Sequence, residues 1–245
     1  MIQQTRSVTG SNMAVIKALT FLMFAMFAMT TDSVGIIIPE IVKTFRLTLT
    51  AAGSFQYATM GGIALAGFFL GHLADRYGRK TTILVGLTMF ATASYLFLAG
   101  SSFVFFCVLM GISGIGIGIF KTGALALVGD ISRSTSDHTS IMNTVEGFFG
   151  VGSIVGPALL SQLLNRGVPW QWLYVIAGSM CALLIVTAAS VRYPSRTSAA
   201  SAEIKHTDGR AVAAVMKNPF VLAFSLGAFL YVAVEAAIYV WMPTL

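Results

Sequence analysis

The most informative stretch of the sequence is a ten-residue loop, Gly71-His72-Leu73-Ala74-Asp75-Arg76-Tyr77-Gly78-Arg79-Lys80. It carries five ionisable side chains besides His72, and it lies between two long apolar segments, 51–70 and 81–99. A membrane-spanning helix needs about 20 predominantly apolar residues. The loop therefore joins two predicted membrane spans, and the same alternation of apolar segments and short polar loops continues on both sides of it.

The composition of the whole chain favours lipid as its solvent. Of its 245 residues, 56% are hydrophobic and only 10% are charged, and the mean hydropathy is +0.83. Soluble domains carry about 25% charged residues, so we predict an all-α integral membrane protein. Both cysteines, Cys107 and Cys181, lie in apolar runs, and no Cys/His spacing is typical of a metal site. We expect no cofactor and no metal.

Seven apolar segments are long enough to cross a bilayer. No charged residue lies between Lys80 and Lys121, and as one helix this stretch would measure roughly 60 Å, about twice the hydrocarbon thickness. Gly100-Ser101-Ser102 predicts a turn that divides it into two spans. The predicted spans are 18–38, 51–70, 81–99, 103–129, 141–164, 170–191 and 220–245.

The basic residues are distributed unevenly between the two sets of loops. Eleven lie on one side, three lie on the other, and Lys121 lies within a span. Because positive residues accumulate on the cytoplasmic side, we predict a cytoplasmic N-terminus in a plasma (inner) membrane. Their place in short loops also argues against nucleic acid as a partner. The eleven are Arg6, Lys17, Arg76, Arg79, Lys80, Arg133, Arg192, Arg196, Lys205, Arg210 and Lys217.

The loop at 71–80 closely resembles the signature G-x-L-A-D-R-x-G-R-K of the major facilitator superfamily, and it stands after the second span as in that family. The resemblance implies a six-helix N-terminal domain (1–191) of two inverted three-helix repeats. A cytoplasmic linker (192–219) and the first helix of a second, incomplete domain (220–245) would follow. It also implies that a C-terminal half or a second copy is missing. A fragment, a truncated reading frame and half of an assembly are the alternatives.

In that family the loop acts as a latch between the two halves, which implies a gating role for Gly71, Asp75, Arg76, Gly78, Arg79 and Lys80. Gly71 lacks a side chain, which lets another helix approach closely. Asp75 can accept charge-assisted hydrogen bonds, and the three basic side chains are expected to face the cytoplasm and bind anionic lipid heads. The alternative is a basic turn that only sets the topology.

Span five contains a second motif, Gly152-Ser153-Ile154-Val155-Gly156-Pro157. It resembles the superfamily pattern G-x-x-x-G-P, which is commoner in antiporters. Pro157 removes one backbone hydrogen bond, and Gly152 and Gly156 permit close packing, so a helix bend is predicted here. The alternative is a plain helix-packing stripe.

Four ionisable residues fall inside predicted spans: Asp32, Lys121, Glu146 and Glu235. Such residues are costly in lipid and usually functional. Helix rise places Lys121 and Glu146 roughly 9 Å to the cytoplasmic side of the midplane, where they either form an ion pair or contact substrate. Asp32 and Glu235 fall on the outer half, so we expect Lys121 to be a poor partner for Asp32.

Further polar side chains share faces with these charges. Asn143 lies on the face of span five that carries Glu146, and Tyr231, Glu235 and Tyr239 recur every four residues in span seven. Two phenols and a carboxylate suit hydroxyl-rich ligands, whereas interfacial anchoring is the alternative for the tyrosines. The Tyr-x-x-x-Glu pattern resembles the seventh helix of the fucose–glucose–galactose permease branch.

The sequence therefore predicts a secondary transporter that moves a small polar solute, such as a sugar, driven by protons. The alternative is an exporter of drugs or metabolites: the antiporter-like motif of span five favours it, whereas the absence of an arginine from 110–114 argues against drug export. A retinal protein is excluded because 220–245 contains no lysine, and the charge distribution opposes a signalling receptor. No nucleophile–base pair or metal cluster suggests an enzyme.

Overall fold

Nine α-helices form the part of the chain that the computed structural model describes, residues 10–194 and 217–244. They are α1 (Gly10–Thr31), α2 (Val34–Phe45), α3 (Leu49–Leu70), α4 (Leu73–Arg76), α5 (Arg79–Leu96), α6 (Phe103–Ile131), α7 (Thr135–Asn165), α8 (Gln171–Ser190) and α9 (Pro219–Trp241). A 3₁₀ turn, Met242–Thr244, follows α9. Every regular element within these ranges is helical, which confirms the predicted all-α fold.

The long helices match the predicted spans. Five helical segments of the described ranges have both the length and the apolar character of a membrane span: Asn12–Phe45, Phe103–Ile131, Thr135–Asn165, Gln171–Ser190 and Pro219–Trp241. The other two predicted spans, α3 and α5, are not among these five. They contain 22 and 18 residues, or about 33 and 27 Å of helix, and both pack along α6.

The pattern of helix pairing repeats between the two halves of the six-span unit. The α1–α2 pair, α3 and α5 form the first three spans, and α6, α7 and α8 form the second three. Span one packs on span five (α1 on α7), and in the same way span four packs on span two (α6 on α3). Span three packs on span four (α5 on α6), and in the same way span six packs on span one (α8 on α1). Exchanging span one for four, two for five and three for six therefore preserves the contacts, as the predicted division into three-helix repeats requires.

Two aromatic-rich clusters fill the interior of this unit. One contains Phe27, Phe90 and Phe120 and joins α1, α5 and α6. The other contains Phe97 and Tyr174, whose rings stack with their centroids 4.2 Å apart. The outer faces of the helices carry many exposed apolar side chains, which is the pattern expected where lipid replaces water as the surrounding solvent.

Polar caps define the ends of the long helices. The predicted turn at 100–102 is present: Ser102 caps α6 by accepting a hydrogen bond of 3.2 Å from the backbone N–H of Phe105. Ser134 similarly caps α7 by accepting from Asp137 N–H at 3.1 Å. α7 therefore begins six residues before the predicted start of span five at 141, because the cap stabilises a polar first turn that hydropathy alone does not include.

Helix α9 contacts the six-span unit mainly at its C-terminal end. Its main packing is against α2, where Gly35 brings the α2 backbone against the carbonyl groups of Tyr239 and Val240. Val240 is buried, whereas Tyr231, further towards the N-terminus of α9, is 68% exposed. Most of the predicted linker, residues 195–216, lies outside the described residues, and the division at 191 and 219 stays a prediction.

Candidate functional site

The first span is interrupted where its only internal charge occurs. α1 ends at Thr31 and α2 begins at Val34, so Asp32 lies between two helices of one span. Its carboxylate accepts a hydrogen bond of 3.0 Å from the Thr31 hydroxyl and a second from the hydroxyl of Ser153 on α7. These donors compensate part of the cost of placing a carboxylate at this depth.

An open cavity lies between α9 and the helices α1, α6 and α7. It has two adjoining parts of about 440 and 670 Å³. Both parts are lined by all three of the intramembrane carboxylates and by two tyrosines: Asp32, Glu146, Glu235, Tyr231 and Tyr239. The structure therefore brings together side chains that are up to 207 positions apart in the sequence.

Lys121 of α6 lines the smaller part of the same cavity. Its ammonium group lies 5.6 Å from the centroid of the Phe149 ring, and the charges of Glu146, Asp32 and Glu235 all act on it. Among the described side chains, no carboxylate lies within ion-pair distance of Lys121. Lys121 and Asp32 therefore line one cavity without forming an ion pair, in agreement with the expectation that Lys121 is a poor partner for Asp32.

Asn143 occupies a different position from the other predicted site residues. It lies in an open polar groove of about 610 Å³ on the N-terminal half of α7, lined by Ser136, Thr139, Ser140, Asn143 and Thr144. It does not line the cavity that contains Glu146. Helical spacing puts both residues on one face, but the face is long enough to serve two separate regions.

The two tyrosines that line the cavity differ in their surroundings. Tyr231 is largely exposed, whereas the Tyr239 hydroxyl accepts a hydrogen bond of 3.0 Å from the side-chain amide of Gln56 on α3. Gln56 is 3% exposed, and its own carbonyl oxygen has no partner. This contact joins α9 to α3, so Tyr239 is held by the protein rather than acting only as an interfacial anchor.

The predicted gating loop is organised by Arg79. Its guanidinium donates to Asp75 and to Asp130 at the end of α6, each at 2.8 Å, and its side chain is only 10% exposed. Gly78 precedes it with φ of +85°, a backbone conformation that strongly favours glycine. Arg76 is exposed, and its guanidinium lies 5.4 Å from the centroid of the Tyr77 ring.

Lys80 caps another helix. Its ammonium donates to the carbonyl oxygens of Ala189 and Val191, at 2.6 and 2.8 Å, where the end of α8 leaves acceptors unpaired and favours positive charge. The ammonium also lies 5.7 Å from the Tyr193 ring centroid, and burial raises the pKa of the Tyr193 hydroxyl to about 12.

Two expectations about this loop stay predictions, and the described residues give them little support. Arg79 and Lys80 are both bound to other parts of the protein, which leaves them less free than Arg76 to bind lipid heads. No second helix approaches Gly71 within the described residues: a Cβ atom there would meet only the carbonyl oxygen of Gly67 in α3, at 3.0 Å. The charge pattern could not show which basic side chains have internal partners.

The glycines of span five are helix-packing residues. A Cβ atom at Gly152 would meet the carbonyl oxygen of Ala25, and one at Gly156 would meet that of Met29, so both positions are where α7 touches α1. α7 continues unbroken from Thr135 to Asn165 through Pro157. This geometry supports the packing-stripe interpretation, and the predicted bend at Pro157 stays a prediction.

Three residues of the site were not predicted from the sequence: Ser153, Gln56 and Thr31. Ser153 lies one helical turn before Pro157 on the cavity face of α7, so helical spacing indicated it. Gln56 could have been noted as an uncharged polar side chain within an apolar span. Thr31 carries no comparable signal, since threonine is common in membrane helices. Within residues 10–194 and 217–244, no three His, Cys, Asp or Glu side chains are placed to hold a metal ion.

Comparison with known proteins places this arrangement in a family. The family model described as Major Facilitator Superfamily matches residues 20–245. A protein TsgA homolog of Buchnera aphidicola subsp. Baizongia pistaciae is 20% identical over 236 residues, which cover 96% of this chain and 58% of that protein. The chloramphenicol resistance protein CraA of Acinetobacter baumannii is 26% identical over 193 residues, which cover 78% of this chain and 46% of the relative.

A third relative, the cis,cis-muconate transport protein of Acinetobacter baylyi, is 26% identical over 161 residues, or 63% of this chain and 38% of that protein. The chain thus spans about half the length of the curated relatives it matches. The family model, by contrast, covers nearly all of the chain, including the loop at 71–80 and the whole of α9. On this match and on the repeated pairing of its spans, the chain belongs to the Major Facilitator Superfamily.

Proposed function

We propose that this chain is the N-terminal part of a secondary transporter, in which protons drive the movement of a small polar solute through the cavity between α9 and the six-span unit. One observation carries the proposal: three carboxylates, one ammonium and two phenols from four spans line one cavity at membrane depth. Ionisable groups in such a position are energetically costly, and those that occur usually mark the path of a substrate or an ion.

The proton sites in this proposal are Asp32 and Glu235. Asp32 lies at a helix break and accepts hydrogen bonds from Thr31 and Ser153 on two different spans, so losing its charge would weaken a link between α1 and α7. Glu235 faces the same cavity from α9. Protonation at these two positions would thus alter contacts on both sides of the solute path.

The charges of the cavity favour particular solutes. With Asp32, Glu146 and Glu235 ionised and Lys121 protonated, the lining carries −3 + 1 = −2. Such a cavity repels a dianion and suits neutral hydroxyl-rich or cationic solutes. The phenols of Tyr231 and Tyr239 add hydrogen-bonding groups and flat faces. A sugar, which combines hydroxyl groups with an apolar ring face, meets these requirements.

The proposed arrangement in the cell follows from the same features. We place the N-terminus in the cytoplasm of a bacterial-type inner membrane, because most basic residues fall in that set of loops. Residues 1–191 form the first domain, 192–219 the linker, and 220–245 the start of the second. Helix α9 is exposed along most of its length, which leaves room for a C-terminal half or a second copy as its partner.

The test is transport and binding by the 245-residue chain in proteoliposomes. A panel of labelled sugars is offered with and without an inward proton gradient, and solute-induced thermal stabilisation is recorded in parallel. We expect Glu235→Gln and Asp32→Asn to abolish the response to the gradient while binding survives. Glu40→Gln is the matched control, because Glu40 lies outside the cavity and pairs with the exposed Lys43. Absence of binding for every solute, together with absence of flux when a C-terminal half or a second copy is supplied, would overturn the proposal.

Export of drugs or metabolites is the second candidate function. The stripe Gly152, Gly156 and Pro157, which resembles the antiporter pattern, favours it, as do relatives whose names refer to chloramphenicol resistance and to multidrug transport. Inside-out vesicles distinguish the two directions. Uptake of an antibiotic into the vesicles, with simultaneous loss of the proton gradient, would support export. Sugar movement driven by the gradient, with no antibiotic uptake, would exclude export.

A further inference from the structure

A small chamber lined by buried residues lies behind the wall of the open cavity. Five helices converge on it: α1, α3, α5, α6 and α8. Thr31 and Ile117 line both the chamber and the cavity, so they form the wall between them. The other lining residues are Thr30, Thr59, Phe90, Met110, Ser113 and Tyr174.

Three hydroxyl groups in this chamber lack hydrogen-bond partners. They are the Oγ1 atom of Thr59, the Oγ atom of Ser113 and the phenolic oxygen of Tyr174. All three residues are at least 98% buried. Native proteins rarely leave buried polar atoms unpaired, and three such atoms around one space indicate a missing common partner.

The chamber has the size and chemistry for one water molecule. Its volume is about 10 Å³, close to the minimum that a single water needs, and a buried water typically makes about three hydrogen bonds. Three unpaired hydroxyls supply that number. The lining contains no charged side chain, which disfavours a cation. We propose that the chamber holds one ordered water molecule shared by Thr59, Ser113 and Tyr174.

Thr31 connects this hydrated chamber to the proposed proton site. Its hydroxyl oxygen lies 3.0 Å from the Asp32 carboxylate and 3.2 Å from the carbonyl oxygen of Phe27. The hydroxyl has one hydrogen, so it donates to one acceptor at a time. The Thr31 hydroxyl would donate to the Asp32 carboxylate when that group is ionised, and to the carbonyl oxygen of Phe27 when Asp32 is protonated. This connection rests on the proposed role of Asp32, whereas the water site does not.

Radiolytic footprinting with mass spectrometry tests the water directly, because X-ray pulses convert bound water into hydroxyl radicals that oxidise adjacent side chains. Met110 lines the chamber and belongs to the cluster that contains Tyr174. Met26, which is equally buried but belongs to the cluster that contains Phe27, is the matched control. In the detergent-solubilised chain we expect Met110 to oxidise at least several-fold faster than Met26, and Ser113→Ala to remove the difference. Equal rates in the unmodified chain would overturn the proposal.

The sign of a stability change gives an independent test. If water fills the chamber, Ser113→Ala and Tyr174→Phe each break a hydrogen bond and lower the Tm. If the chamber is dry, each change removes an unpaired polar atom and raises the Tm. Ser94→Ala is the matched control, because the Ser94 hydroxyl is also buried and unpartnered but does not line the chamber. An increase in Tm for both chamber variants would overturn the proposal whether or not transport is detected.

Discussion

Replacing Gly152 by alanine should destabilise the fold through the contact between α1 and α7. A Cβ atom at this position would overlap the carbonyl oxygen of Ala25 and would lie 2.9 Å from the Cβ atom of Ala28. Since carbon atoms in contact are about 3.5–4.0 Å apart, the contact with Ala28 alone would require the helices to separate by at least roughly 0.6 Å, and the closer overlap with Ala25 would require more. Backbone atoms form the obstacle, so no side-chain rotation relieves it.

The expected cost is about 1–3 kcal/mol, which is typical of overpacking in a tightly packed interior. Alanine also has a higher helix propensity than glycine, by about 1 kcal/mol, and this gain partly hides the steric cost. Gly147→Ala is the matched control: Gly147 lies on the same helix, and a Cβ atom there meets nothing within 4 Å. Because the propensity gain is common to both variants, the difference in their stability isolates the steric cost.

Thermal unfolding of the purified variants in one detergent, followed by circular dichroism, measures this difference. We expect Gly147→Ala to unfold at or above the Tm of the parent chain and Gly152→Ala to unfold several degrees below it. Equal Tm values for the two variants would refute the reasoning, since they would show that α1 and α7 accommodate a methyl group between them at no cost.

Three further predictions use the same unfolding assay. Arg79→Gln should lower the free energy of unfolding by about 1–3 kcal/mol, because two partly solvated carboxylates lose a charge-assisted partner. Lys43→Gln is the control, because its ion pair is exposed, and it should change stability by less than about 0.5 kcal/mol. Equal effects of the two substitutions would contradict the internal role of Arg79. Gly78→Ala should cost about 1–2 kcal/mol, since φ of +85° strains any residue with a Cβ atom, and an unchanged Tm would show that the loop relaxes. Tyr239→Phe should cost about 1–2 kcal/mol by leaving the buried Gln56 amide unpaired, and a stabilising effect would show that this hydrogen bond does not form.

The helical framework followed from the sequence because lipid imposes a simple rule. Backbone polar groups inside a bilayer must be paired within the helix, so apolar length alone located the seven long helical segments, and Gly100 to Ser102 divided the uncharged stretch correctly. The break at Asp32 was not predicted. Hydropathy reports how apolar a segment is, and it does not register a helix that stops and restarts within one span.

The charged residues of the candidate site could be predicted from the sequence, whereas its geometry and several of its uncharged members could not. The cost of burying charge singled out Asp32, Lys121, Glu146 and Glu235, and the structure places all four around one cavity. Their partners depend on which helix faces which, and helix rise gives only depth along the membrane normal. The chamber behind Thr31 could not be predicted for the same reason, since its hydroxyl groups come from four different helices and none is unusual in sequence.

Attachment of α9 near one end has a mechanical consequence. The helix has 23 residues, so it is about 34 Å long, and its main contact is with α2 near Val240. A rotation of only about 10° around that pivot would swing the opposite tip by about 6 Å. A small movement beside Gly35 would therefore produce a larger displacement of the N-terminal end of α9. Tyr231 and Glu235 lie between these two points on the helix and would move by intermediate distances.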